Sequence, residues 1–290
     1  MACDLCGSED YTVIWDKTER EKKDILASVV IRDSAGKIQH GINVICNNCG
    51  LVYVLDKMTK QELAEFYKTG YREIYKRNQK NKLASAHHAD TAISILSQKG
   101  ALNFPFLDIG ANDGQLVDLV KNVTGWTEVV GIEPGGSENK SVIGTNIEDY
   151  NPITKFKCVT MLNTLEHVYS PTEALTKVHS LMCDKGHLLI SVPDLFNTNI
   201  KNSMDVYLSN AHLHTFSFYT LHAMLKKCGF VVSHRFTVPE ELGDKLYVLA
   251  VKGKPEVPEY KEQNGNILQV FLYRADALYF ASYLVKEMMK

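Results

Sequence analysis

The chain lacks the long apolar runs and the one-sided charge that mark membrane-spanning and polyanion-binding proteins. No run of about eighteen apolar residues occurs, and no segment resembles a secretion signal with a cleavage site. The formal net charge is only −2, so no global field attracts a nucleic acid or an anionic membrane. Internal repeats and low-complexity tracts are missing too. We therefore expect a cytoplasmic protein with no membrane partner and with nucleic acid disfavoured.

The cysteines do not form the even, regularly spaced set of a disulfide framework, because there are seven of them. Cys158, Cys183 and Cys228 stand alone in apolar surroundings, which is typical of small buried side chains. The other four form two CxxC pairs, each followed by glycine: Cys3, Cys6, Cys46 and Cys49. Two such knuckles can surround Zn(II) with a tetrahedral shell of four thiolates. We predict a structural zinc site, with no ligand position left open for catalysis.

The periodicity of apolar residues divides the chain into four parts. Short β-type runs predict a small ribbon over residues 1–56, and a helical period predicts a connector over 57–100. Residues 101–253 alternate strand and helix, and their strand runs are apolar throughout, which indicates an α/β fold with a mostly parallel sheet. The last two strand runs lack an intervening helix, which predicts an antiparallel pair at one edge. Residues 254–290 end in an apolar helix that predicts packing on the domain or a homodimer contact.

A glycine-containing turn, DIGANDG, lies between an apolar strand and an amphipathic helix. Gly110 and Gly114 allow a tight turn and a close ligand approach, although an ordinary βα turn is the alternative. The next strand ends in Glu133, nineteen positions after Gly114, where a carboxylate can accept the hydroxyl groups of a ribose. Asp108 and Asp113 would repel a pyrophosphate. They suit a cofactor that carries an ammonium group and a cationic sulfur.

The series FLDIGANDG, VVGIEP, IEDY, FKCVTMLNTLEHVYSP and HLLISVPD resembles the class I S-adenosylmethionine-dependent methyltransferases over about residues 104–252. The resemblance implies a Rossmann-like, mostly parallel sheet of seven strands. It assigns the methionine part of the cofactor to the loop, the ribose to Glu133, and the sulfonium side to Asn163. The complete predicted cofactor set is Asp108, Gly110, Asn112, Asp113, Gly114, Glu133, Pro134, Asn146, Ile147, Asn163 and His167. Pro134, Asn146 and Ile147 would border the adenine, although residues 135–145 are too short for the usual helix.

The phrase LEHV, which contains Glu166 and His167, follows the predicted fourth strand. It matches the phrase of the same family at this position. We expect these two residues to shape the floor of the cofactor site and to cap the next helix. A catalytic role is the alternative.

The phrase CNNCGLVYV…TKQELAEFY resembles the N-terminal zinc-binding domain of sugar C-methyltransferases, in which this module forms one wall of the substrate cleft. That family carries Glu-His-x-x-x-Phe-Ser, and its histidine deprotonates the substrate. His212 takes this position, whereas Ala211 replaces the glutamate, which favours O- or N-methylation over C-methylation. His214 and Tyr75 are the other predicted catalytic residues, and simple polar or packing roles are the alternatives for all three.

These patterns predict a methyltransferase that acts on a small polar metabolite such as a nucleotide-linked sugar. An RNA methyltransferase is one alternative, because residues 57–82 hold eight basic and three acidic residues. Residues 1–50 argue against it, with six basic and eight acidic residues. A non-catalytic scaffold with the same fold is the second alternative, and binding of S-adenosylmethionine distinguishes it from an enzyme.

Overall fold

The computed structural model describes residues 1–15, 41–71, 79–195, 212–237 and 245–260. Within these ranges no helix is long and apolar enough to cross a membrane. Tyr75, Ala211 and the predicted apolar helix within 261–290 lie outside the described residues. The proposed homodimer contact through that helix therefore stays a prediction.

The described chain contains eleven strands and five α-helices. The strands are β1 (Tyr11–Trp15), β2 (Asn43–Cys46), β3 (Val52–Val54), β4 (Phe106–Ile109), β5 (Val130–Ile132), β6 (Val142–Ile143), β7 (Phe156–Leu162), β8 (Met182–Pro193), β9 (His214–Thr215), β10 (Phe230–Thr237) and β11 (Lys245–Lys252). The helices are α1 (Lys60–Glu65), α2 (Gln79–Gln98), α3 (Gln115–Thr124), α4 (Pro171–Leu181) and α5 (Phe218–Lys227). A π-helical turn, Phe66–Tyr71, follows α1, and a 3-10 turn, Leu165–His167, follows β7.

The larger sheet has seven strands in the order β10-β11-β8-β7-β4-β5-β6. Strands β8, β7, β4, β5 and β6 are mutually parallel, and β11 runs antiparallel to both of its neighbours. This mixed sheet confirms the predicted mostly parallel, Rossmann-like architecture with its antiparallel pair. The central strands are buried on both faces, as their unbroken apolar runs predict. The two-residue strand β6 is too short to leave a pattern in the sequence.

The smaller sheet has the order β1-β2-β3-β9, and all of its pairs are antiparallel. Its last strand comes from a distant part of the chain, because Tyr53 pairs with His214 and Val52 with Thr215. The next residue, Phe216, forms a parallel bridge with Asp194 just beyond β8. The segment around β9 thus joins the two sheets, a contact that the sequence did not predict.

The N-terminal knuckle docks on the first turn of α4. The Asp4 carboxylate accepts hydrogen bonds from the Ser170 hydroxyl at 2.6 Å and from the Thr172 backbone N–H at 2.8 Å. Burial would raise the pKa of Asp4, but the hydrogen bonds from Ser170 and Thr172 outweigh it and lower that pKa. The Lys227 ammonium donates to the backbone carbonyls of Asp4 and Leu5. One continuous core includes Leu5 and Val44 of the ribbon together with residues of the larger sheet, so the ribbon is packed against that domain.

Helix α1 begins with a capping box at Thr59. Thr59 caps α1, and its hydroxyl accepts from the Glu62 backbone N–H while the Glu62 carboxylate accepts from the Thr59 backbone N–H. Leu63 is buried on the inner face of α1. Together with residues of the π-helical turn and of α2, it forms one wall of the cavity described next.

Candidate functional site

A cavity of about 850 Å³ opens at the carboxyl ends of β4, β5 and β7. This is where ligands bind in open α/β sheets. Ten of the eleven predicted cofactor residues line it: Asp108, Gly110, Asn112, Asp113, Glu133, Pro134, Asn146, Ile147, Asn163 and His167. His212 also lines it, whereas Gly114 and His214 do not. The structure thus brings most of the predicted cofactor residues and one predicted catalytic residue around a single space.

The turn after β4 leaves no room for a side chain at its tightest point. Gly110 has a φ of 75°, and a Cβ atom there would overlap the Thr164 side chain. The Thr164 hydroxyl donates at 3.1 Å to the Ile109 carbonyl, which ties this turn to the loop after β7. Asn112 also has a positive φ, 51°. Glycine is therefore required at position 110 both by the positive φ and by the packing of Thr164.

Gly114 serves the fold rather than the wall of the cavity. It precedes α3 with a φ of 81°, and a Cβ atom would lie 2.5 Å from Asn139 Nδ2. That amide donates to both carboxylate oxygens of Asp118 at 2.9 Å. The second glycine of the motif is thus required by the close approach of residues 135–145.

Two carboxylates on adjacent strands face the loop. Asp108 accepts from the Thr160 hydroxyl at 2.6 Å, and Glu133 Oε2 accepts from the Asn112 backbone N–H at 3.0 Å. Burial raises the pKa of Asp108 to about 7, and the nearby charge of Glu133 adds to the rise while Thr160 opposes it. An ammonium group beside Asp108 would favour the ionised form.

The predicted adenine end follows β6. Residues 135–145 contain no helix and form turns around Val142–Ile143, as their length predicts. Asn146 Oδ1 accepts from the Asp149 backbone N–H at 2.8 Å, which shapes the turn that carries Ile147 into the cavity. Ile147 is buried and gives this end an apolar surface.

The opposite end of the cavity gathers polar side chains from two separate segments. Asn163, Glu166 and His167 follow β7, and His212 precedes β9. The rings of His167 and His212 have centroids 4.9 Å apart, and His167 Nε2 lies 3.8 Å from Glu166 Oε1. Glu166 is 1% exposed, and neither of its carboxylate oxygens accepts a hydrogen bond within the part of the chain that the structure describes. We name Glu166, His167 and His212 the Glu-His-His cluster.

His214 lies away from the cavity. It is 2% exposed within β9, where it faces the ribbon, and burial lowers its pKa to about 3. The charge of Lys57 lowers this pKa further, while Asp4 opposes the shift. A histidine in this position is neutral at ordinary pH and has no contact with the cavity, so we do not propose it as the base.

Two further residues of the cavity wall, His88 and Lys245, were not predicted as site residues from the sequence. His88 Nδ1 lies 2.6 Å from the Tyr247 hydroxyl, and burial, followed by the charge of Lys245, lowers its pKa to about 4. His88 lies on α2, and its sequence pattern is that of an ordinary helix surface. Only the tertiary fold, which places α2 beside β11, gives these residues a position at the cavity.

The four CxxC cysteines converge at the base of the ribbon. Cys3 Sγ lies 3.5 Å from Cys49 Sγ, Cys6 Sγ lies 3.5 Å from Cys46 Sγ, and all four sulfurs are within 4.8 Å of one another. A tetrahedral zinc site with Zn–S bonds of about 2.3 Å requires sulfurs at similar separations. The separations of the four sulfur atoms therefore fit a Zn(II) ion bound by four thiolates.

The chain is similar to methyltransferases in both sequence and fold. A family model of the methyltransferase domain matches residues 63–235, more than half of the chain. Magnesium protoporphyrin IX methyltransferase from Synechocystis PCC 6803, solved with bound S-adenosylhomocysteine, is 14% identical with a TM-score of 0.52, and the match covers 67% of this chain and 100% of that one. A Burkholderia thailandensis 1,6-didemethyltoxoflavin-N1-methyltransferase, solved with 1,6-didemethyltoxoflavin and S-adenosylhomocysteine, is 15% identical with a TM-score of 0.54. That match covers 73% of this chain and 96% of the other.

At these identities the structural likeness shows the shared fold. No curated protein matches the chain by sequence. The resemblance to sugar C-methyltransferases therefore stays a prediction.

Proposed function

Since this chain belongs to the methyltransferase domain family, we propose that it transfers the methyl group of S-adenosylmethionine to a small polar acceptor. The observation that carries the proposal is the cavity in which the Gly110 turn, Glu133 and the Asn146–Ile147 turn meet. S-Adenosylmethionine supplies a methyl group on a cationic sulfur. The remaining work falls to the side chains that bind, orient and deprotonate.

The cofactor residues divide by chemistry along the cavity. Asp108 and the Gly110 turn suit the amino-acid end, since Asp108 offers a carboxylate to an ammonium group and both line the cavity. The Glu133 carboxylate suits the ribose hydroxyl groups, and its hydrogen bond to Asn112 holds it in place. Ile147 and Pro134 supply apolar surface for a base.

The acceptor occupies the end of the cavity that contains Asn163 and the Glu-His-His cluster. A cavity of about 850 Å³ lies near the top of the usual range of about 300–1,000 Å³ for small-molecule sites, so it has room for a cofactor and an acceptor together. Lys245 and His88 add polar groups to its wall. We propose a nucleotide-linked sugar or a similar polar metabolite, because this end of the cavity is polar and the ribbon sequence resembles the zinc-binding domain of sugar C-methyltransferases.

The ribbon is proposed to hold Zn(II) through Cys3, Cys6, Cys46 and Cys49. Four thiolates complete the tetrahedral shell, so the metal supplies folding free energy and takes no part in the reaction. The ribbon in turn supports the acceptor end, because β3 pairs with β9, which begins two residues after His212.

Two experiments test the proposal. Calorimetry with S-adenosylmethionine should show one binding site per chain. An assay with labelled cofactor should show methyl transfer to a member of a nucleotide-sugar panel. A protein that does not bind the cofactor would be a scaffold with this fold. Transfer to RNA instead of small molecules would refute the choice of acceptor but not the enzymatic activity.

A further inference from the structure

The Glu-His-His cluster brings three potential metal ligands together. One carboxylate oxygen and one ring nitrogen from each histidine all lie within 4.8 Å of one another. The three residues come from two segments, the 3-10 turn after β7 and the position two residues before β9. They are thus assembled by the tertiary fold, and all three line the cavity.

The burial of the Glu166 carboxylate indicates which kind of ligand the cluster binds. Its side chain is 2% exposed, and both carboxylate oxygens lack a hydrogen-bond donor among the described residues. Burying a carboxylate without a partner is costly, and native proteins satisfy such groups with a donor or an ion. The His167 ring, 3.8 Å from Oε1, is too distant for a hydrogen bond. A cation bound between the carboxylate and the two rings would satisfy Glu166.

We propose that Glu166, His167 and His212 bind a divalent transition-metal ion at the acceptor end of the cavity. Two imidazoles and one carboxylate form a donor set that suits Mn²⁺, Fe²⁺, Co²⁺ or Zn²⁺. Three protein ligands leave coordination positions for water or substrate, whereas the four cysteines of the ribbon form a closed shell. The two sites therefore differ in both ligand softness and access.

The site deepens the proposed function, on which its role rests, by selecting a hydroxyl group as the acceptor. Coordination lowers the pKa of a hydroxyl group, so its proton passes to solvent water before transfer. A lone pair of the oxygen then forms the O–C bond to the methyl group. The C–S bond breaks, and its electron pair stays on sulfur as the neutral thioether of S-adenosylhomocysteine. The chain is thereby assigned to O-methylation, and His212 acts as a metal ligand.

Titration with Mn²⁺, followed by water-proton relaxation, tests the site in the full-length protein with zinc retained on its cysteines. Mn²⁺ prefers oxygen and nitrogen ligands, so it does not compete for the thiolates. We expect one Mn²⁺ per chain with enhanced relaxation, because open positions hold exchangeable water. Glu166→Gln and His212→Asn should each weaken Mn²⁺ binding by about 100-fold. Loss of a direct ligand should cost at least as much affinity as loss of a residue that only hydrogen-bonds to a ligand.

Two controls separate the possible failures. His87→Ala removes an exposed histidine of α2 that does not line the cavity, and it should leave Mn²⁺ binding unchanged. Calorimetry with S-adenosylmethionine on each variant checks both folding and the proposed function. Cofactor binding without Mn²⁺ binding, or Mn²⁺ binding that survives both ligand substitutions, would refute the metal site and leave the methyltransferase intact. Loss of cofactor binding by the parent protein would instead refute the proposed function.

Discussion

The two ends of the cavity differ in how their buried carboxylates are satisfied. At the cofactor end, Asp108 accepts from Thr160 and Glu133 accepts from Asn112, so the chain itself orients both carboxylates. At the acceptor end, both oxygens of Glu166 and Oδ1 of Asn163 are buried without a donor among the described residues. The carboxylates of the cofactor end are thus oriented by hydrogen bonds within the chain, whereas the Glu166 carboxylate relies on a group that binds to it. Gln115 Oε1, at the cofactor end, is also buried without a partner among the described residues.

This difference predicts separate effects for substitutions at the two ends. Changes at the cofactor end should alter affinity for S-adenosylmethionine, and changes at the acceptor end should alter turnover. The ribbon belongs with the acceptor end, because its strand β3 pairs with β9. The four predictions below test this separation, from the largest expected effect to the smallest.

The ribbon should lose its metal when one thiolate is removed. Cys46→Ser is expected to release zinc and to forfeit most of the about 10–16 kcal/mol that a structural site of this kind supplies. Metal analysis measures the zinc, and hydrogen exchange over residues 41–55 measures the loosening. Affinity for S-adenosylmethionine should persist, and Cys183→Ser, outside the cluster, is the matched control. A parent protein without zinc would contradict the prediction.

The acceptor end should control turnover. We expect His212→Ala to reduce turnover by about two to four powers of ten, the usual range for groups that manage a proton in the reaction. Affinity for the cofactor should be nearly unchanged, because His212 lies at the other end of the cavity. Steady-state kinetics and calorimetry measure the two quantities. Comparable turnover in the variant would show that His212 has no part in the reaction.

The cofactor end should control affinity. Glu133→Ala removes a charged acceptor whose hydrogen bonds are worth about 1.5–3 kcal/mol, so cofactor binding should weaken by about 10- to 100-fold. Turnover at saturating cofactor should change much less. Glu128→Ala, an exposed carboxylate before β5, is the control. A large loss of turnover with unchanged affinity would break the proposed separation.

The pKa of Asp108 should make cofactor binding depend on pH. Burial raises this pKa to about 7, and the ammonium group of the cofactor favours the ionised carboxylate. Binding should therefore weaken by up to about tenfold for each pH unit below 7. Calorimetry across about pH 5.5–8 measures the affinity for S-adenosylmethionine at each pH. Asp108→Asn should remove most of its pH dependence. The raised pKa also means that folding stability decreases as pH rises from the unfolded value towards 7.

The sequence predicted the cofactor end better than the acceptor end. The spacing from Gly114 to Glu133 reflects one βαβ unit, so local patterns were sufficient to place the turn and its carboxylate on adjacent strands. Glu166 was visible in LEHV, but its unsatisfied burial depends on the approach of His212 from a distant segment. Strand β9 has two residues and β6 has two, too few for any periodicity. The predicted domain boundaries and the cytoplasmic location remain predictions.

The two-residue strand β9 couples the position of His212 in the cavity to the ribbon. Its backbone is fixed on one side by Val52 and Tyr53, and the adjacent Phe216 is fixed on the other side by Asp194. A longer or shorter ribbon would shift His212 relative to the turn after β4. Under the proposed function, exchange of this ribbon would therefore change acceptor preference and leave the nucleoside-binding half the same.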